Sequence, residues 1–428
     1  MQTLSKRERL TSLMWRMLSG YGRIKYRYLL PIYRLFGQAP DQRKATGTTT
    51  KTLRGAQAVA RALNRPQYLA QLKTVTARIE KSKGAVIFLP SIGWNVVNTQ
   101  RTQHLAREFA RQGYVSIFDS SDSYDDVSGV KEVEPNLFLI RESDNALTEI
   151  KNPILWAFTY NYQRRDVYPA STRIVYDWID DFEVFHFDRE FLEGNHERAL
   201  KEASVVASVA RRLHDRVVAS RPDALYLPNG VEYDHFANDS VALPKDPEIS
   251  PSWLNEKPLA GYYGVMAHWF DYELLDAVAR LRPDWNFLLI GPVYDNSLRD
   301  SGQTLLKNSN VKWIGARDYQ IIPQYLKLFD VALIPFKIND ITLATSPLKL
   351  YEYFAGGKPV VTTPMPECQA FPEVHIARIP EEFSLGLDAA RAEARDPGFR
   401  QVMQRLGQEN SWTSRVENLL KHLQPANL

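Results

Sequence analysis

Three stretches of the sequence gather side chains able to do chemistry. The first is "SPLKLYEYFAGGKPVV", residues 346–361, where Lys349 and Glu352 stand one helical turn apart ahead of an apolar run. Ser346 suits a helix N-cap and Pro347 the first helical position. A helix N-terminus presents free N–H groups and partial positive charge, which favour phosphate. An ammonium in the first turn opposes that dipole slightly unless an anion lies nearby. Gly356 and Gly357 allow a left-handed helix end. The plain alternative is an i,i+3 ion pair on a surface helix, worth only a few tenths of a kcal/mol.

The second stretch, "VYDWIDDFE" (175–183), puts Asp177, Asp180 and Asp181 at or just past an apolar strand. Such carboxylates suit a general base, or a group orienting a hydroxyl, and Asp180 and Asp181 are the catalytic candidates beside Lys349. Loop solubility and helix capping are the competing explanation. The third stretch surrounds the first strand-to-helix loop: Trp94, Gln100, Arg101 and His104. They would face a cleft and contact an acceptor, with Trp94 either stacking on a ring or filling space.

Alternating strands and helices position these groups. "GAVIFLP" from residue 84 is a short continuous apolar run, the pattern of a strand buried on both faces. A helix over "RTQHLAREFARQG" follows, stopped by Gly113, and "YVSIFDS" restarts a strand. Further strands are expected at "NLFLI", "PILWAF", "TRIVYDWI", "ASVVASVA" and "ALYLPNGV". The Pro-rich, polar stretch 238–258 is a linker. Beyond it the alternation resumes with "LAGYYGVM", a helix carrying Phe270, Leu274, Leu275, Val278 and Leu281 on one side, then "WNFLLIGPV", "NVKWIG" and "DVALIPF". The fold class is therefore α/β: two doubly wound parallel-sheet domains facing a cleft, a favoured location for small-molecule sites. The expected divisions are a basic extension and linker (1–83), a first sheet domain (84–237), the linker (238–258), a second sheet domain (259–407) and a C-terminal helix (408–428) packing back on the first.

Composition narrows the function. The 428 residues carry a formal charge of +3, 44% hydrophobic residues and a single cysteine, Cys368. Residues 1–34 hold eight basic residues against Glu8, interleaved with aromatic and aliphatic residues. That pattern suits an anionic membrane surface or a packed basic helix; no RNA-binding signature accompanies it, and nucleic acid is not an expected partner. No run approaches the ~20 apolar residues of a membrane span, and no secretory pattern opens the chain. A cytoplasmic protein, peripheral on the inner face of the membrane if the extension binds there, is expected. Asp-x-Asp, zinc-type Cys and His spacings, GxGxxG, Walker A and Gly-x-Ser-x-Gly are all absent.

The ordered set "GYYGV", "FLLIGP", "NVKWIG", "DVALIPF", "PLKLYEYFAGGKPVV" and "NSWTSR" resembles the nucleotide-sugar half of GT-B-fold glycosyltransferases, in particular the bacterial family-4-like group that builds surface polysaccharides. "YLPNGVEYDHF" is similar to the end of that group's acceptor domain. The resemblance spans about residues 84–425 and implies two Rossmann-like domains, the first for acceptor and the second for donor. It implies a glycosyltransferase using a UDP- or GDP-sugar as co-substrate, without a cofactor or metal, acting with retention on a glycan or lipid-linked acceptor in exopolysaccharide or lipopolysaccharide synthesis. It assigns Glu352 to the donor ribose, and Gly264, Gly291, Pro292, Ser346, Pro347, Lys349 and Leu350 to the donor pocket. The chain departs from the pattern at Ala344, where many relatives carry an upstream glutamate, and at Val265, where an arginine is usual. Diphosphate neutralisation then falls to Lys349 first, with Arg317, Lys337 or His268 behind it. The alternatives are a nucleotide-sugar 2-epimerase of the same fold, or a non-catalytic scaffold in a membrane polysaccharide assembly.

Overall fold

The computed structural model describes residues 68–423 except 97–98, 122, 124, 126, 128, 142–145 and 186. The basic extension 1–34 and the polar stretch 38–50 lie outside the described residues. Among the described residues no helix is long and apolar enough to cross a membrane.

The chain forms two sheets. The first contains β1 (Ala85–Phe88), β2 (Val115–Asp119), β3 (Val130–Glu134), β4 (Leu137–Ile140), β5 (Ile154–Ala157), β6 (Arg173–Trp178), β7 (Val205–Ser208) and β8 (Leu225–Tyr226). Their order is β3-β4-β2-β1-β5-β6-β7-β8, parallel throughout except for β3, which runs antiparallel to β4. β1, β2, β4, β5 and β7 are buried along their whole length, which is why they read as unbroken apolar runs. β3 (VKEVE) was not expected; its side chains are half-buried or exposed, as suits an edge strand with charges on it.

The second sheet contains β9 (Leu259–Tyr263), β10 (Asn286–Ile290), β11 (Val311–Trp313), β12 (Val331–Ile334), β13 (Val360–Thr362) and β14 (His375–Ile376). It is entirely parallel, in the order β11-β10-β9-β12-β13-β14. On the helix Tyr272–Leu281, Leu274, Leu275 and Val278 are buried, but Leu281 at the C-terminal end is 49% exposed, contrary to expectation. The last turn has run past the edge of the core. The linker 238–258 contains one short helix, Pro251–Leu254.

The helix Trp412–Leu423 crosses back to the first sheet. Its Trp412, Val416, Leu419 and Leu423 join a core with Leu105, Phe109 and Trp156. Polar clasps also tie the two sheets. Asn229 donates from its backbone N–H to Ser346 Oγ (3.2 Å) and from its amide to the Ser346 carbonyl (2.7 Å). Glu367 accepts from the Arg211 backbone N–H at 2.6 Å and from the Tyr226 hydroxyl. Arg212 reaches Asp340 at 2.8 Å. These contacts set the C-terminal strand ends of one sheet against those of the other.

Candidate functional site

Two glycines at the ends of β9 and β10 open the floor of the site. Gly264 and Gly291 have φ of +143° and +144°, a region that side chains rarely adopt. A Cβ on Gly291 would fall 1.8 Å from the Gly264 carbonyl oxygen, so the two backbones can touch only without side chains. A Cβ on Gly264 would lie 2.5 Å from Lys349 Cε. The lysine stem therefore runs directly over bare backbone.

Lys349 comes from the helix Leu348–Ala355. Pro347, not Ser346, is its N-cap, and no side chain caps it. Ser346 is instead held by Asn229, which explains the shift: its hydroxyl serves the clasp between sheets rather than the helix. Leu350 donates its N–H to the Pro347 carbonyl at 3.1 Å, and the N–H groups of Leu348 and Lys349 remain available to an anion. Loss of water lowers the Lys349 pKa, with Glu352 pulling the other way.

Glu352 is 4% exposed, and burial raises its pKa; Lys349 and the neighbouring Tyr263 hydroxyl favour the ionised form, while Glu232 opposes it. Around this carboxylate the structure gathers buried polar atoms without a well-formed hydrogen bond, Glu352 Oε2, Tyr263 Oη, Tyr319 Oη and His104 Nδ1, with Tyr263 beside Glu352 and with Tyr319 and His104 beside Glu232. Buried polar groups are rarely left unpaired, so this concentration marks a place built for a ligand. A cavity of about 400 Å³ adjoins it, lined by Val96 and Thr99 of the first sheet's loop and by residues 316–320 of the second. A larger one, about 890 Å³, lies between Arg107, Glu232, His235 and Trp412, and shares Gln320 with the first. Tyr263, Tyr319 and Glu232 were missed in the sequence. The one local hint was the "YYG" at the end of β9.

Residues 258–381 match the family described as glycosyl transferases group 1. That match covers the second sheet domain, and the two-sheet architecture around it is that of the GT-B fold. It is 26% identical over 245 residues to TuaH of Bacillus subtilis (strain 168), a protein named as a teichuronic acid biosynthesis glycosyltransferase; the match spans 55% of this chain and about 60% of that protein. The GT-B architecture also superposes on Anabaena HepE in complex with UDP and glucose, with a TM-score of 0.57 and 14% identity, covering 79% of this chain and 99% of that one. An α,α-trehalose-phosphate synthase (UDP-forming) from Burkholderia xenovorans gives 0.56 and 12%, covering 80% and 100%.

Within this GT-B frame several expected ligand groups prove to be tied to the protein. Arg101 is buried and bidentate on Asp177, at 2.8 and 3.0 Å, and also donates to the Pro228 carbonyl and to Asn229. Trp156 Nε1 completes the Asp177 shell at 3.1 Å. This pair fixes the loop that clasps Ser346, and four of the five guanidinium N–H donors are taken by the protein. Replacing Arg101 with leucine would strand a buried carboxylate, and a loss of about 3–5 kcal/mol is expected in urea unfolding. An unfolding midpoint equal to wild type would refute that structural role.

Asp181 caps its own short helix by accepting from the Phe182 N–H, and pairs with Arg216 at 2.7 Å, so both its oxygens have protein partners. Arg317 is held by Asp246, Glu248 and the Tyr325 hydroxyl, which removes it as a diphosphate ligand. Trp94 meets Phe118 edge-on at 5.3 Å and carries the Arg107 guanidinium over one face of its ring at 4.8 Å, so that face is not open to a sugar. His104 is buried, stacked on Trp412 at 5.2 Å, and burial lowers its pKa to about 4; it faces the Glu352 cluster rather than a separate acceptor pocket. Gln100 is the N-cap of the helix Arg101–Arg111, its N–H held by Gln103. Leu350 is wholly buried in the core and shapes the helix from behind.

His268 and Pro292 remain at the mouth. His268 is more than half exposed and its backbone N–H donates to Asp295 at 2.8 Å, while the Pro292 carbonyl accepts from Met266. Asp180, just past β6, is half-buried and has no hydrogen-bond partner among the described residues. Burial raises its pKa to about 7, and Asp181 adds to the shift.

Proposed function

We propose that the protein transfers a glycosyl group from a nucleoside-diphosphate sugar to a glycan or lipid-linked acceptor in bacterial polysaccharide synthesis. The observation that carries this reading is the Lys349–Glu352 face: a half-buried ammonium over bare backbone, an uncapped helix N-terminus, and a buried carboxylate short of partners. The diphosphate would lie against Lys349 and the helix N-terminus, and the ribose hydroxyls would donate to Glu352. HepE holds UDP and glucose, and TuaH is named for polysaccharide synthesis, so UDP-sugars are the first donors to test.

In the reaction the acceptor oxygen bonds to the anomeric carbon as the bond from that carbon to the diphosphate oxygen breaks. The electron pair leaves with the nucleoside diphosphate, where positive charge from Lys349 and the helix N-terminus stabilises it. Asp180 accepts the hydrogen bond of the incoming hydroxyl and takes its proton. Retention at the anomeric carbon, the outcome the family resemblance implies, requires the acceptor oxygen to approach on the face from which the diphosphate departs; attack from the opposite face would invert the centre. Closing the cleft excludes water, which would otherwise take the sugar.

Glu352→Ala tests the ribose assignment. UDP and UDP-glucose should raise the melting temperature of wild type, because a ligand that binds only the folded state stabilises it. In the variant that shift should vanish, while its ligand-free melting temperature holds or rises, since a buried carboxylate short of partners is lost. An unchanged UDP shift in Glu352→Ala would refute the assignment. Product formed from the nucleotide sugar alone would favour the epimerase alternative.

A further inference from the structure

A run of aromatic rings, Phe158, Tyr160, Phe185 and Phe187, starts in the core of the first sheet and leads out of it to the surface. Phe158 and Tyr160 follow β5, and Phe185 and Phe187 follow β6, so all leave the carboxyl edge of two adjacent parallel strands. Phe158 stacks on Tyr160 at 5.5 Å and 17°, and Tyr160 on Phe187 at 5.9 Å and 5°. Phe185 closes one flank of Tyr160 at 5.2 Å. The stack thus begins on a fully buried ring, Phe158, and ends on Phe187, which is 53% exposed. An exposed phenyl ring held nearly parallel to a fixed one is costly to keep in water and is pre-set to receive a flat apolar face.

The carboxylate beside it sets the chemistry of that partner. Asp180 is close enough to Tyr160 to raise the pKa of its phenol, and it has no protein hydrogen bond among the described residues. A ring face beside an unpaired acceptor matches a pyranose, which offers axial C–H bonds on one side and hydroxyl donors around its rim. A lipid chain would leave Asp180 unpaired, and an anionic headgroup would be repelled by it. The strands carrying these residues, β6 and β5, lie two and three places from β8, whose following loop holds Ser346 of the donor helix, roughly 10–14 Å along the sheet.

We propose that Phe187, backed by Tyr160, is the stacking platform for a sugar ring of the acceptor, with a hydroxyl of that ring turned to Asp180. The choice of a saccharide partner rests on the transferase reading. Saturation-transfer NMR on full-length wild type, Phe187→Ala and Phe187→Trp, with methyl glucoside, methyl galactoside and methyl N-acetylglucosaminide, tests it. At least one glycoside should bind wild type, lose roughly three- to tenfold in affinity in Phe187→Ala, and recover in Phe187→Trp. The melting shift with UDP should be equal in all three proteins. Equal glycoside binding in wild type and Phe187→Ala, or no glycoside binding to wild type, would overturn the platform. So would Phe187-dependent binding of phosphatidylglycerol vesicles with the glycosides silent, which would assign the face to a membrane. If neither UDP nor GDP shifts wild type while glycoside binding follows Phe187, the transferase reading falls and the platform stands.

Discussion

Lys349→Ala is expected to lower kcat/KM for transfer by roughly 10²–10³-fold, the usual cost of losing one preorganised group aimed at developing negative charge. The stem of Lys349 is held over Gly264 by the bare backbone beneath it, so the ammonium needs no reorganisation when the diphosphate leaves. Ala344 and Val265 stand where the family resemblance implies charged residues, and neither can compensate for a lost ammonium. Arg317 is spent on Asp246 and Glu248, and His268 sits more than half exposed beside Asp295. Stability should not fall in parallel. A buried ammonium costs desolvation, and its removal lets Glu352 take up a proton, the form that burial already favours. The melting temperature of the free variant should therefore match or exceed wild type, while the shift given by UDP shrinks. Lys349→Arg keeps the charge, but its wider planar head has to pass the contact with Gly264, so partial activity is expected. Turnover of Lys349→Ala within threefold of wild type would remove this lysine from the site.

The sheets were legible because parallel strands covered on both faces leave unbroken apolar runs, and each run from "GAVIFLP" to "GGKPVV" contains or borders a strand. Two edge strands are the exceptions: β3 carries Lys131, Glu132 and Glu134 on an exposed edge, and β14 is only two half-buried residues long, so neither has such a run to show. The site was legible only where chemistry is local. Lys349 and Glu352 share a helical turn, and the glycines of β9 and β10 lie at strand ends. Arg101, Asp181 and Arg317 have protein partners that the sequence did not reveal, for a common reason: a residue type advertises a charge, but its partner is set by the fold. Asp177 is 76 positions from Arg101, Asp246 is 71 from Arg317, and Arg216 is 35 from Asp181. Tyr263, Tyr319 and Glu232 escaped notice for the converse reason. Each is unremarkable in its own segment, and only the approach of the two sheets brings it to Glu352. Ser346 combines both cases: it lies in the expected motif, yet Asn229, 117 positions away, takes its hydroxyl and leaves the helix start uncapped.

Asp180→Asn should reduce turnover by roughly 10²–10⁴-fold if Asp180 receives the acceptor proton, and its pH behaviour separates that role from a structural one. Burial and Asp181 raise the pKa of Asp180 to about 7, so below that pH the carboxyl is protonated and cannot serve as a base. Wild-type turnover at saturating donor should climb through about pH 7 and level off above it. The asparagine variant should lose that limb. The groups around Asp180 allow this assignment to be tested cleanly. Asp181 is committed to Arg216, Asp177 to Arg101, and His196, with its pKa lowered to about 4, stays neutral across the range. Stability gives an independent check with a definite sign. A carboxyl whose pKa is raised on folding binds more protons in the folded state than in the unfolded one, so it destabilises the fold as pH rises. The penalty begins above the unfolded pKa, about 3.9, and is complete above about 7. Asp180→Asn should therefore melt higher than wild type at pH 8, with the difference fading toward pH 4. A variant that is inactive yet melts lower at pH 8 would make Asp180 a structural residue and return the search for the base to the acceptor's own surroundings.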